Sequence, residues 1–226
     1  MNNKAYKAAR MQAFDGTKLS DNIYNLVIGL VLLWGILVNI VMAKYFMAQI
    51  MSLNPILVLV IYFAGSFGCI FVVYKSNNPA VSFLGFTGLA IAMGLILTFF
   101  ISNYTQGAVL KAFLITAIVT VIMILVSSIW PKFFLSIGRG LLIGLIASIV
   151  IEVLGMLIFK SSMNFMDYIV ALIFCGFIGF DWARAQVYPK TLDNAVDSAA
   201  DIYVDVANLF IRILAITGRG SSSSNN

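Results

Sequence analysis

The sequence predicts an all-α membrane protein: seven transmembrane helices, six of them surrounding a central, polar seventh helix. Three observations carry that reading. The chain has 226 residues, of which 62% are hydrophobic and only 10% charged; a soluble domain is about 45–50% apolar and about 25% charged. Its mean hydropathy is +1.01. Long apolar runs follow one another between short polar breaks, and the last run carries acids among its apolar residues.

A spanning helix needs roughly 20 mostly apolar residues. Residues 23–43, 55–74, 80–101, 109–130, 133–159 and 168–183 supply six such runs. Proline stands at or just before the start of three of them, at Pro55, Pro79 and Pro131, where it opens a helix and keeps the preceding residue out of helical geometry. The seventh run, 194–217, holds Asp197, Asp201, Asp205 and Arg212. Charges facing lipid are costly, so this helix is expected to be enclosed by the other six and partly wet. The chain therefore reads as a cytoplasmic N-terminal lead (1–21), a seven-helix transmembrane domain (22–218) and a disordered tail (219–226). The lead is basic, and the first apolar run is too long for a cleaved signal.

The Lys/Arg balance sets the orientation. With the N-terminus inside, nine basic residues fall on inner segments and four (Lys44, Lys111, Lys160 and Arg219) on outer ones. Seven spans then put the C-terminus outside. Trp130 and Trp182 fall near helix ends, as an interfacial belt requires, whereas Trp34 is expected to be buried. Gly140 and Gly144 have the GxxxG spacing that lets membrane helices approach closely.

Composition also excludes functions. The net charge of +5 is spread over loops with no Arg/Lys cluster and no interleaved aromatics, so no nucleic-acid partner is expected. Histidine is absent, which removes the usual metal ligand and neutral-pH titrating group. Cys69 and Cys175 lie inside apolar runs and read as small buried hydrophobes. No Ser/His pair can exist, and the intramembrane aspartyl protease pattern is broken by Phe180 between Gly179 and Asp181. A non-enzymatic role is expected.

Six of the nine acidic residues fall between Asp167 and Asp205, which directs attention to the last third of the chain. Pro189 ends the sixth helix, and Thr191 or Asp193 can cap the seventh. The midpoint of Asp181 and Asp205 is residue 193, so a turn there puts both carboxylates at similar depth on adjacent antiparallel helices. Two such acids in a low-dielectric site cannot both ionise cheaply and titrate as a unit. They share a proton at low pH; at higher pH they repel or recruit a hard cation. Calcium takes 6–8 oxygens and two carboxylates supply at most four, so the expected calcium site is weak and exchangeable, with Asn208, water or carbonyls completing it. The plainer alternative is that Asp181 and Asp205 make buried hydrogen bonds or cap helices. Asp193 and Asp197 read as caps or solvated charge. Asp201, one turn from Asp205, extends an acidic path, and Glu152 needs a partner or a wet cavity along that conduit.

The stretches "FDWARAQ" and "IYVDVANLF", with Asp181 and Asp205 at their centres, resemble the C-terminal signature of the transmembrane Bax inhibitor motif family. "NPAVSFLGFTGLAIAMGLILTFF" at 78–100 is similar to that family's third helix. The resemblance implies six helices around a central seventh in a bacterial plasma membrane. It also implies a pH-sensitive calcium leak governed by the aspartate pair, carried over to Asp181 and Asp205 as pH sensor and cation-binding residues. Bacterial members use a helix-two arginine to latch the first aspartate; the basic candidate here is Lys75. The competing reading is a non-conducting membrane regulator that binds other membrane proteins, such as a quality-control protease. The expected partners are thus the lipid bilayer, calcium ions, protons and, on the second reading, a membrane protein.

Overall fold

In the computed structural model, residues 18–159 and 164–222 are described, and the account that follows concerns them; most of the expected lead and the last four residues of the expected tail lie outside them. They form eight helices and, among the described residues, no strand: α1 (Asp21–Tyr45), α2 (Met47–Met51), α3 (Pro55–Lys75), α4 (Pro79–Ile101), α5 (Gln106–Ile129), α6 (Pro131–Phe159), α7 (Asn164–Val187) and α8 (Leu192–Ser222). Six of these, α1 and α3 to α7, are long and apolar enough to cross a membrane.

Local chemistry sets the boundaries. Ser20 caps α1, accepting from Ile23 N at 3.4 Å. Asn54 and Asn78 cap α3 and α4 by accepting from Ile56 N at 2.8 Å and Ala80 N at 3.0 Å, each with proline at the first helical position. Thr105 caps α5 through Ala108 N at 3.3 Å. Of the two candidate caps for α8, Thr191 makes the bond, accepting from Asn194 N at 3.2 Å. These side chains satisfy amide donors that a helix N-terminus would otherwise leave orphaned. The short α2 has no counterpart in the hydropathy pattern.

The chain divides into two compact units, Met1–Ser102 with Arg184–Tyr203, and Asn103–Ala183 with Val204–Asn226. In the first unit α4 packs against α1, α2 and α3. Its core holds Tyr24, Ile28, Phe86, Leu89, Met93 and Tyr203, all nearly or wholly buried. The Tyr24 hydroxyl lies within hydrogen-bond reach of Ala185 O, Asn194 O and Ser198 Oγ, at 3.2–3.3 Å. Between α7 and α8, Lys190 lies over the Tyr24 ring at 4.6 Å and donates to Gln186 Oε1 at 2.7 Å. Burial pushes its pKa below the ordinary lysine value, and the nearby Asp21 partly offsets that.

In the second unit α5 packs against α6. The Ser127 hydroxyl donates to Gly179 O at 2.5 Å, and Trp182 Nε1 to Ser128 Oγ at 2.8 Å. A methyl at Gly179 would stand 2.4 Å from the buried Phe134 ring, so this glycine is what admits the ring. The GxxxG pair behaves differently from expectation: a Cβ at Gly140 would meet nothing within 4 Å, and one at Gly144 only Ile173 at 3.5 Å.

Exposure is inverted relative to a water-soluble protein. Leu110, Leu114, Ile118, Val121, Ile122 and Leu125 all face outward from α5. The polar α8, by contrast, has no exposed residue from Asp193 to Arg219. Burying apolar surface gains nothing when the surroundings are lipid tails, whereas each polar group facing hydrocarbon is penalised. Two expectations are corrected by the same logic. Trp34 is 41% exposed because its indole N–H is satisfied by Thr87 Oγ1 at 3.1 Å, which leaves its apolar face free for lipid. Cys69 and Cys175 are half-buried free thiols rather than core residues.

Candidate functional site

The predicted acidic pair lies in the second unit. Asp181 is 8% exposed and Asp205 7%. The register of the helices that carry them is fixed within that unit by an ion pair at their far end: Arg219 Nη1 stands 2.6 Å from Asp167 Oδ2. Asp181 is fourteen residues on from Asp167 along α7, and Asp205 fourteen residues back from Arg219 along α8. Fourteen residues is close to four turns of about 3.6. Each aspartate therefore falls on the same helical face as the paired residue below it, about 21 Å along the axis.

Asp167 belongs to a larger network. Arg212 donates to both oxygens of Glu152, at 2.6 and 3.0 Å, and to Asp167 Oδ1 at 2.8 Å. Two carboxylates and two guanidiniums thus tie α6, α7 and α8 together with no net charge. Glu152, for which sequence required a partner or a wet cavity, has that partner in Arg212. The forked guanidinium suits this bridging, because it can serve two carboxylates in fixed directions.

The first unit holds a second charged group. Asp201 Oδ2 lies 2.6 Å from Arg184 Nη2, and its Oδ1 accepts from the Tyr74 hydroxyl. The Asp201 side chain is only 7% exposed and the arginine 27%. Asp193 accepts from Ser82 Oγ at 2.6 Å. Asp197 is 2% exposed, so of the two readings given for it, cap or solvated charge, burial removes the second.

Two other candidates stand apart from these groups. Lys75 is exposed, with Nζ over the Phe71 ring at 5.2 Å. Its neighbour Tyr74 is the α3 residue that reaches an acid, and the arginine on that acid comes from α7. Asn208 donates through Nδ2 to Val204 O, one turn back on its own helix, at 2.8 Å. Among the described residues no three acidic or cysteine side chains gather as a metal centre would require. Sequence reasoning passed over Arg184, Tyr74, Asp167 and Arg219 as site residues. The available signal was stoichiometric: a lone acid in one apolar run, Glu152, and a lone base in another, Arg212, are each too costly unless they meet.

Six long apolar helices with outward-facing Leu, Ile and Val, and a polar helix kept from the surface, define a multi-pass integral membrane protein. The chain belongs to the Bax inhibitor-1 family: the family model described as "Inhibitor of apoptosis-promoting Bax1" matches residues 17–222. It is also similar to uncharacterized membrane proteins of Streptococcus pyogenes. One from serotype M3 is 30% identical over 152 residues, covering 64% of this chain and 66% of the relative. One from serotype M6 is 30% identical over 154 residues with the same coverage. The matched stretch is thus just under two thirds of the relatives' own length.

Proposed function

We propose that the protein is a pH-sensitive cation leak, chiefly for calcium, in a bacterial plasma membrane. In this reading α8 is a seventh span enclosed by the other six, the N-terminus is cytoplasmic and the C-terminus outside. Asp181 and Asp205 are the sensor. When they share a proton they hold α7 and α8 together. When both ionise they repel, or they accept a hard cation between them, and the closed state loses its clasp. Calcium is the cargo. Two carboxylates without a third acid suit a site that must release what it binds, because conduction requires binding weak enough to leave.

What supports this reading is a pair of buried acids, Asp181 on α7 and Asp205 on α8, within one compact unit of a chain whose most polar helix is its least exposed. Acids inside membrane segments mark ion and proton pathways. The test is calcium efflux from proteoliposomes across a pH series, for the wild type and for Asp205→Asn. The wild type is expected to leak with a pH-dependent rate, and the variant to lose most of that dependence. Identical curves would remove the aspartates from the mechanism. A wild type without flux at any pH would point instead to a non-conducting regulator of other membrane proteins.

A further inference from the structure

The charges of α7 and α8 recur at a fixed interval. On α8, Asp205, Arg212 and Arg219 stand seven residues apart; on α7, Asp167 and Asp181 stand fourteen apart, with the buried Phe174 midway. Seven residues is just under two turns, so each set runs along one helix face. The faces that carry the two aspartates therefore also carry the far network, and all of these residues belong to the second unit.

Within that network Arg212 holds a particular place. A single nitrogen, Nη1, lies 2.6 Å from Glu152 Oε1 and 2.8 Å from Asp167 Oδ1. Two carboxylate oxygens from different helices thus meet at one cationic point, and without it they would repel each other. Calcium binds its oxygens at about 2.3–2.6 Å, so Nη1 stands within a few tenths of an ångström of the distance that a hard ion would keep from both. Arg219 approaches Asp167 separately, with Nη1 2.6 Å from Oδ2, and its Nη2 donates to Asn164 O at 3.4 Å. Asp167 therefore stays partly neutralised when Arg212 moves away.

The network is also the wetter end of these faces. The Arg212 and Glu152 side chains are 24% and 25% exposed, whereas Asp181 and Asp205 are buried. A charged group facing lipid is costly, so that exposed surface faces water. We infer that Arg212 is a tethered cation that fills the seat between Glu152 and Asp167 and so restrains the entry of free cations along α7 and α8 toward Asp181 and Asp205. This rests on the leak reading proposed above, and adds to it a control by charge at the outer end. A divalent ion attracts each carboxylate with twice the charge of a guanidinium, so calcium competes for the seat better than a monovalent ion does. The guanidinium is charged at every working pH, which separates this restraint from the proton on the aspartate pair.

The experiment compares calcium efflux from proteoliposomes, at a pH where the wild type leaks, for Arg212→Gln, Glu152→Gln and the double variant. Arg212→Gln leaves the network one charge more negative than wild type and Glu152→Gln one charge more positive. A local charge changes the arrival of a counter-ion by about tenfold or more. Arg212→Gln is expected to leak about tenfold faster than wild type and Glu152→Gln about tenfold slower, with the double variant between them. If the network only ties helices together, both single variants loosen the same tie and shift efflux in the same direction; that result overturns the inference. Where Arg212→Gln is too unstable to reconstitute, the double variant must still leak faster than Glu152→Gln, and an equal or slower rate overturns it too. A second measurement adds calcium to wild type and Arg212→Gln in detergent. The melting temperature is expected to rise more in the variant, whose two carboxylates are freed for the ion, and an equal rise shows that Arg212 fills no cation seat. Because melting needs no flux, a wild type that does not leak sinks the leak reading while the melting comparison still decides the seat.

Discussion

Arg184 Nη2 stands 2.6 Å from Asp201 Oδ2, joining the last turn of α7 to the third turn of α8 across the loop at Pro189. The carboxylate's other oxygen takes the Tyr74 hydroxyl, so α3 is tied to the same acid. Removing one partner of a buried ion pair strands the other. With the arginine partly exposed the penalty is discounted, to about 2 kcal/mol for Arg184→Gln. Asp201→Asn should cost less, because the amide still accepts from Tyr74. Thermal unfolding in detergent of both single variants and the double variant gives the coupling energy. A value near zero would mean the two groups do not interact in solution.

The network at the far end makes an ordered prediction. Arg212 serves Glu152 and Asp167 together, and Asp167 also has Arg219. Arg212→Gln therefore strands Glu152 and weakens Asp167, and should be the worst single change, by about 3 kcal/mol. Glu152→Gln leaves Arg212 still on Asp167 and should cost about 1 kcal/mol. Combining the two should cost less than Arg212→Gln alone, since Glu152→Gln removes the carboxylate that the first change strands. Melting temperatures in the reverse order would show that the guanidinium is not the hub.

Much of this fold is readable from sequence, for a physical reason. Each spanning helix satisfies its own backbone, so a hydropathy run bounded by Asn-Pro or Trp-Pro states its own ends; α3 begins at Pro55 and α4 at Pro79. The equal depth expected of the acidic pair is likewise a sequence argument, because an antiparallel hairpin matches residues by distance from its turn. Side-chain partners were not. Lys75 and Tyr74 are adjacent in sequence but point to different surroundings, and hydropathy contains no azimuth to tell them apart.

Lys190 provides a check by pH. Burial lowers its pKa in the folded chain, so the folded state binds this proton less readily than the unfolded one. Stability then rises with pH between the lowered value and the ordinary lysine value, as the cost of burying the charge is relieved. Lys190→Gln has no such proton to release. The melting temperature of wild type minus that of Lys190→Gln should therefore increase as pH is raised through the alkaline range just below the ordinary lysine pKa. A difference that falls instead would mean the Asp21 attraction outweighs burial.

The glycines separate motif from contact. Gly140 and Gly144 have the spacing associated with close helix approach, yet a methyl at Gly140 would touch nothing within 4 Å. Gly140→Ala should be neutral, or stabilising by up to about 1 kcal/mol, because alanine restricts the unfolded chain and favours helix. Gly179→Ala puts a methyl 2.4 Å from the Phe134 ring, and Phe134 is 4% exposed. Overpacking of this kind costs about 1–3 kcal/mol. It should also disturb the carbonyl that receives the Ser127 hydroxyl, two residues before Asp181. If Gly179→Ala raises calcium efflux at a pH where the wild type is closed, while Gly140→Ala does not, the packing of α6 on α7 bears on the position of the aspartate. If both variants melt and leak alike, the GxxxG spacing is no poorer a guide than the observed contact, and the close approach at Phe134 is not a constraint in the membrane.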